Sequence, residues 1–236
     1  RSSVHEQIYG RQGQATANFL NAPSRFRSPN ARWEFNVDRA NQLLDAAGWK
    51  RGADGIRAKD GKKLRFLFQT STNAPRQKTQ AIVKQACAKV GIEVELKSVV
   101  ASVFFSSDAG NPDTYSHFYA DLQMYNTGLN APDPQLIMRQ FVSWDIASKE
   151  TKWAGRNITR WRNEDYDRLW KSAEHEMDPV KRAAMFIRMN DMLIQHVVVI
   201  PIIWRYGVGA STTRLRGMAL SGWDSSLWNL ANWHKV

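Results

Sequence analysis

The sequence predicts an α/β fold, and three features support this prediction. A strand, a helix and a second strand follow one another within about 35 residues, which is the length of a parallel unit with a right-handed crossover. Amphipathic segments with recognisable ends predict helices before and after that unit. A third strand leads into a long polar bend, "MYNTGLNAPDP", and the bend leads into another helix.

The chain begins without a clear pattern and then forms a helix. Residues 1–30 contain prolines, asparagines and serines with little periodicity, which predicts an approach or linker segment. The first helix is expected in "FNVDRANQLLDAAGW". Its apolar residues, starting at Ala40, recur with helical spacing, Asp38 is placed to cap the amino end, and Gly48 suits a left-handed carboxyl end.

The β-α-β unit follows two Asp-Gly turns. Alternating residues in "LRFLFQ" predict a strand, and "IEVELKSV" predicts a second one. Between them, Asn73 and Pro75 open a helix that ends at Gly91. Further on, Asp133 and Pro134 are expected to start a helix that runs through Phe141.

Three elements complete the prediction. Two more helices are expected after Asn163 and after Asp178. The β-branched run "VVVIPIIW" then predicts a strand, in which Pro201 indicates an edge position or a bulge.

The polar bend is the first candidate for function. It lies between the end of a strand and the start of a helix, which is where open α/β sheets usually bind ligands. The bend contains Asn126, Thr127 and Asn130 but no histidine, cysteine or paired acids. We therefore expect one wall of a ligand-binding cleft rather than a reaction centre.

Composition and motifs argue against an enzyme. The five histidines show no metal-ligand spacing, Cys87 is the single cysteine, and no nucleophile elbow or phosphate loop is present. We therefore predict a non-enzyme without metal or cofactor. No stretch of about 18 apolar residues suggests a membrane span, and the residues from Arg1 onward do not have the basic-then-apolar pattern of a signal sequence.

The order of these motifs resembles the C-terminal part of family 5 extracellular solute-binding proteins. The pattern comprises "LLDAAGW", "DG", "KLRF", a helix ending in "GIEVEL", "YADLQM", "DP" and "IPI". These proteins are peptide, nickel and opine receptors of bacterial ABC importers. The resemblance implies a periplasmic-binding-protein-like lobe (type II, cluster C-like), with a C-terminal tail that returns to a first lobe missing from this chain.

The resemblance also implies a division of the chain and a location. Residues 1–30 are the approach segment, residues 31–197 the second lobe, and residues 198–236 the return segment of the first lobe or hinge. The partners would be a peptide or other small solute, the importer's membrane permease subunits and the missing N-terminal lobe. The location would be periplasmic or extracellular.

Seven residues are candidate ligand contacts by this resemblance. Peptide-binding members place an acid and often an aromatic residue in the bend, and Asn130 and Thr127 occupy those places here. An amide cannot balance an ammonium charge, so a neutral, amidated or anionic solute is favoured over a free peptide amine. Tyr125 and Asn126 belong to the same bend. Residues just beyond the "VVVIPII" run would return to the cleft, namely Trp204, Arg205 and Tyr206.

The basic charge supports an alternative. The 33 Lys and Arg residues exceed the 22 Asp and Glu residues and give a net charge of +11. Such a charge is also typical of a domain that binds nucleic acid or an anionic surface, with affinity that falls as salt rises. Because the basic residues are spread along the chain and interleaved with acids, we expect no nucleic-acid partner.

Overall fold

A computed structural model describes residues 1–128 and 131–236. Its helices and strands have the following bounds. The helices are α1 (Ser2–Val4), α2 (Val37–Ala46), α3 (Ala74–Lys89), α4 (Ala101–Phe104), α5 (Gln135–Met138), α6 (Glu164–His175) and α7 (Pro179–Gln195). The strands are β1 (Gly13–Ala15), β2 (Lys50–Arg51), β3 (Arg57–Lys59), β4 (Lys62–Lys63), β5 (Arg65–Ser71), β6 (Glu93–Val99), β7 (Leu122–Met124), β8 (Ile203–Arg205), β9 (Leu215–Arg216) and β10 (His234–Lys235).

The predicted parallel unit is present and forms the central sheet. Strand β5 lies between β6 and β7 and is parallel to both, with Phe68 opposite Leu96 on one side and Leu122 on the other. Helix α3 makes the crossover from β5 to β6, as the sequence predicts. Asn73 caps this helix by accepting a hydrogen bond from the backbone N–H of Arg76. The mixed α/β class is therefore confirmed.

The main hydrophobic core lies between the last two long helices and residues from the start of the chain. Tyr166 of α6 and Phe186 and Leu193 of α7 are fully buried in it, together with Leu20 and Phe26. The caps that the sequence predicts for α6 and α7 are confirmed, since Asn163 caps α6 and Asp178 caps α7. Burial of this apolar face explains the helical periodicity of both segments.

The amino-terminal segment is tied to this core by polar contacts as well. The buried side chain of Asn190 on α7 accepts hydrogen bonds from the backbone N–H groups of Phe19 (2.9 Å) and Leu20 (3.1 Å). It also donates to the side-chain oxygen of Asn18 at 2.8 Å. Strand β1 pairs antiparallel with β8 near the other end of the chain. Residues 1–30 thus pack against α7 and β8.

Two helices differ from the sequence prediction, α2 in its cap and α5 in its length. Helix α2 is capped by Asn36 rather than Asp38, because the Asn36 side chain accepts from the N–H of Arg39 at 2.8 Å. Helix α5 is only one turn long, and a 3₁₀ turn continues it to Phe141. Propensity alone could not choose between neighbouring Asn and Asp caps, since both side chains are good acceptors.

The strand predicted in "VVVIPIIW" is also shorter than expected. Helix α7 ends at Gln195, Val197 adopts a left-handed backbone conformation, and β8 starts only after Pro201. Proline removes a ladder donor and restricts the residue before it, so pairing begins beyond it. The edge position that Pro201 predicts is consistent with the two-stranded pairing of β8 with β1.

Candidate ligand-binding site

The carboxyl ends of the parallel strands meet at one edge of the sheet. Ser71 ends β5, and Thr70 beside it donates a hydrogen bond of 2.6 Å to the carbonyl oxygen of Met124 at the end of β7. This bond fixes the point at which the chain leaves the sheet. Tyr125 is the next residue, so the predicted bend starts at this edge, where side chains and backbone amides of an open sheet converge.

Tyr125 is largely shielded from water. Its ring packs edge-on against Tyr115, with ring centroids 5.7 Å apart. Burial, together with a smaller contribution from the neighbouring Tyr115, raises the pKa of Tyr125 to about 12. The phenol is therefore neutral at physiological pH and can donate or accept a hydrogen bond without carrying charge.

The bend residues that directly follow Tyr125 are exposed. Asn126 and Thr127 lie in contact with solvent directly after Tyr125. Asn130 lies outside the described residues. Just before the bend, the side-chain oxygen of Gln123 is buried and has no hydrogen-bond partner among the described residues. Its amide nitrogen donates to the carbonyl of Tyr115 at 2.9 Å, which holds the Tyr115 loop against β7.

Arg76 is a site residue that the sequence analysis missed. It lies in the first turn of α3, half-buried at the same edge of the sheet, and donates to the hydroxyl of Ser71. Its guanidinium lies 5.7 Å from the ring of Phe105. A positive charge in the first turn opposes the helix dipole, and this unfavourable placement is the signal in the sequence that could have marked Arg76 as a candidate.

The predicted residues Trp204 and Arg205 lie in β8 and Tyr206 directly follows it. Arg205 lies 5.9 Å from the ring of Tyr9, in the turn that follows α1. Burial lowers the pKa of Arg76, the phenol of Tyr9 opposes that change, and the charge of Arg205 adds to it. The two arginines therefore sense each other's charge, with Tyr9 close to both. Neither has an acidic partner within 4.0 Å in the described parts of the chain.

Trp204 and Tyr206 flank Arg205 along the strand. Their rings lie 5.6 Å apart at a steep angle, and the Tyr206 hydroxyl donates to the side chain of Gln14 on β1 at 3.1 Å. No aromatic contact or hydrogen bond among the described residues joins Tyr125 directly to these three. A series of aromatic and cation–π contacts runs instead from Tyr125 through Tyr115 and Phe105 to Arg76. Arg205 is linked to Arg76 through its charge, which lowers the pKa of Arg76.

This edge is an open surface rather than an enclosed cavity. Two cavities, of about 450 Å³ and 200 Å³, are lined by other residues, the larger by the 109–119 and 149–153 segments and the smaller by residues around Trp33 and Asp191. A single wall, which is what the sequence predicts for this edge, would not enclose a volume by itself.

Two negative findings apply to the described residues. No group of three or more His, Cys, Asp or Glu side chains within residues 1–128 and 131–236 is placed to hold a metal ion. Within the same residues, no helix has both the length and the apolar character needed to cross a membrane.

Comparison with known proteins identifies the family. The family described as "Bacterial extracellular solute-binding proteins, family 5 Middle" matches residues 1–149. The oligopeptide-binding protein AppA of Bacillus subtilis is 28% identical over 185 residues, which cover 75% of this chain and 31% of AppA. The chain spans only 26% to 31% of the length of the curated relatives it matches.

Solved structures agree on the fold. The structure of AppA from Bacillus subtilis in complex with a nonapeptide aligns with a TM-score of 0.72 at 22% identity, over 100% of this chain and 45% of that one. NikZ from Campylobacter jejuni in complex with Ni(L-His) aligns with a TM-score of 0.78 at 19% identity, over 99% of this chain and 46% of that one. The chain has the fold of periplasmic binding proteins and belongs to the bacterial extracellular solute-binding proteins of family 5.

Proposed function

We propose that this chain is part of the substrate-binding component of a bacterial ABC importer and binds a peptide-like or other small solute in a cleft between two lobes. Family membership supports the general role. The position of Arg76 and Arg205 supports the site, because α3 and β8 bring two positive charges to the carboxyl edge of the sheet. Since neither has an acidic partner among the described residues, a ligand carboxylate or similar anion is the complementary group.

The lobes divide the chain in this proposal. Residues 31–197 form the second lobe, and residues 198–236 return to a first lobe built from sequence outside this chain. Residues 1–30 enter from that first lobe. The antiparallel pairing of β1 with β8 supports this division, because the entering and returning segments then cross between the lobes side by side. Exposure of residues 205–214 is in line with a surface that the first lobe covers.

Binding without covalent chemistry explains the residue types in the bend. The neutral phenol of Tyr125 and the polar side chains of Asn126, Thr127 and Asn130 orient the solute by hydrogen bonds. Trp204 and Tyr206 supply flat apolar area, and the two arginines bind the anionic group. Lobe closure removes water from these contacts and strengthens them. The protein then acts outside the cytoplasm as a receptor rather than an enzyme, and delivers solute to the permease subunits.

The test uses the protein in the full length that its gene encodes. Native mass spectrometry of the purified protein identifies any solute that copurifies with it, and titration calorimetry measures its affinity. Arg205→Gln and Arg76→Gln are each expected to lower the affinity for an anionic solute about tenfold or more, since each removes a desolvated charge contact. Arg162→Gln is the matched control, because Arg162 is exposed and makes no ion pair in the described structure.

Two results would contradict this proposal. Unchanged affinity in both cleft variants would move the site away from the sheet edge. Saturable DNA binding that weakens steeply with salt, with no solute bound, would favour the nucleic-acid alternative. Tyr125→Ala, with an unchanged melting temperature and weaker binding, would support a ligand contact, whereas loss of fold would make Tyr125 a packing residue.

A further inference from the structure

A second feature of the lobe has the properties of a ligand site and is separate from the cleft. Two loops line an open cavity of about 450 Å³, one between α4 and β7 and one after the Ser143–Asp145 turn. That volume lies within the range of small-molecule sites. Tyr119 precedes β7, whereas Tyr125 follows it, so the cavity and the cleft wall lie at opposite ends of this strand. We call the cavity the aromatic–lysine pocket, defined by His117, Tyr119, Lys149, Lys152 and Trp153.

Three aromatic rings form one side of the pocket. The rings of His117 and Trp153 are tilted by 34° with centroids 4.3 Å apart, and Tyr119 meets Trp153 edge-on at 5.5 Å. His117 is 3% exposed, and both of its ring nitrogens are engaged, with Thr114 and with the carbonyl of Ala109. Tyr119 is 63% exposed although it is aromatic. The wall therefore has a fixed base and a free aromatic face that a flat ring can cover.

Two lysines provide positive charge at the rim. Lys149 and Lys152 line the cavity, and neither forms an ion pair within 4.0 Å in the described parts of the chain. The exposed Glu150 follows Lys149 in the chain, and its pKa is lowered mainly by Ser148 and less by the charge of Lys149. The pocket thus presents two ammonium groups next to aromatic faces.

Backbone strain is concentrated around this pocket. Six non-glycine residues in the described structure have positive φ, and four of them belong to these loops, namely Phe118 (40°), Lys152 (50°), Trp153 (61°) and Arg160 (57°). Each such conformation costs on the order of 1 kcal/mol, and strain of this kind gathers at functional sites. The guanidinium of Arg160 donates to the carbonyl oxygen of His117 and lies 5.5 Å from the Trp153 ring. Arg160 therefore holds both loops in the strained arrangement.

We propose that the aromatic–lysine pocket is a second ligand site, which binds a small aromatic carboxylate. The ring of the ligand stacks on Trp153 and Tyr119, and its carboxylate lies between Lys149 and Lys152. An aliphatic anion would leave the aromatic wall unused, and a neutral ring would leave the lysines unused. Both halves of the pocket match one ligand class.

Benzoate is the probe, and titration into the protein is followed by tryptophan fluorescence and by protein-observed NMR. Benzoate is expected to bind saturably, with the shifts centred on Trp153 and Tyr119. Benzamide has the same shape without the charge and is expected to bind about tenfold more weakly, since two lysines no longer contribute. Acetate, which lacks the ring, is expected to bind more weakly than benzoate as well.

Variants locate the site. The double variant Lys149→Gln, Lys152→Gln is expected to lower the affinity for benzoate about tenfold, and Tyr119→Leu is expected to lower it about threefold. Because Tyr119 is exposed, Tyr119→Leu is expected to keep the fold. It is therefore used in place of a change at the less exposed Trp153. Lys181→Gln, an exposed lysine of α7, and Arg205→Gln in the cleft wall are the controls and are expected to leave benzoate affinity unchanged.

Three outcomes would overturn this inference. One is the absence of saturable benzoate binding. Another is equal affinity for benzoate and benzamide, which would remove the role of the lysines. The third is that Arg205→Gln loses benzoate binding while Tyr119→Leu keeps it, which would place benzoate in the cleft. That last result would leave the proposed function intact, so the two proposals fail separately.

Discussion

Arg182 of α7 and Asp133 form a two-pronged ion pair. The Nε atom of Arg182 lies 2.9 Å from Oδ2 of Asp133, and its Nη2 atom lies 2.9 Å from Oδ1. Asp133 also accepts from the backbone N–H of Gln135 at 2.9 Å, so one carboxylate both orders the start of α5 and joins it to α7. The pair anchors the far end of the predicted bend on the hydrophobic core. It also engages Asp133, the acid nearest in sequence to Asn130, and Asn130 stands where peptide-binding members place an acid.

This ion pair makes stability depend on pH in the acid range. Burial opposes ionisation of Asp133, but the hydrogen bonds from Arg182 and Gln135 outweigh it, so the pKa of Asp133 lies below its usual value. Because the folded pKa is depressed, the stabilisation is complete above the unfolded pKa of about 4 and disappears as pH falls through the folded value. Asp133→Asn should therefore lower stability at pH 7 and flatten its decline between pH 7 and acid pH.

Urea unfolding at pH 7 and at acid pH measures this effect. A loss of about 1 kcal/mol at pH 7 is expected, because Asp133 is partly exposed and solvent screens the pair. Glu95→Gln is the control, since Glu95 is exposed and unpaired among the described residues. An equal pH slope in Asp133→Asn and in the unmodified chain would refute the assignment.

Asn190→Ala should destabilise the chain strongly. The change leaves the buried N–H groups of Phe19 and Leu20 without their acceptor and removes the hydrogen bond to Asn18. An unfolding free energy lower by about 2–3 kcal/mol is expected, as for other unpaired buried donors. Gln77→Ala on the exposed side of α3 is the control. A similarly small effect of both changes would mean that residues 1–30 are only loosely attached.

Lys152→Gly should stabilise the fold, unlike most glycine substitutions. Lys152 has φ of 50°, a conformation that glycine adopts without strain, so a gain of up to about 1 kcal/mol is expected. Lys149→Gly is the matched control, because Lys149 is not among the residues with positive φ and should lose stability or stay neutral. Thermal unfolding of both variants checks this. Destabilisation of equal size in both would show that the left-handed turn carries no strain.

Gly155→Ala should disrupt the loop that carries the aromatic–lysine pocket. A Cβ atom at this position would lie 2.5 Å from the backbone nitrogen of Ala147 and as close to backbone atoms of Asp145 and Ile146. These backbone segments cannot separate without breaking the bridge between Ile146 and Asn157. A loss of about 2 kcal/mol or more is expected from this overlap. Gly222→Ala, where a Cβ meets nothing within 4 Å, should be neutral in the same unfolding experiment.

Local patterns accounted for most of the secondary structure. The β5-α3-β6 unit was predictable because alternation and helical spacing both report which face of an element is buried. Caps at Asn73, Asn163 and Asp178 were predictable because the side chain acts on its own helix. The prediction of a strand before Pro201 was wrong, because a β-branched run indicates burial without specifying a pairing partner.

The site followed a different logic. The sequence placed Tyr125 at the end of a strand and Arg205 after another, and both predictions concern local order. Arg76, Tyr9 and Arg205 come together only because β1 pairs with β8 and places the start of the chain beside α3. The same holds for His117 and Trp153, which meet across two loops with no shared pattern.

The sequence by itself determined the α/β class, the parallel unit, most helix boundaries and the family, since these depend on periodicity and on neighbours along the chain. Only the tertiary structure decided which charges and rings share a surface and where the backbone is strained. The reason is physical: hydrogen-bonding periodicity is a property of one segment, whereas the distance between two side chains depends on how every segment between them packs.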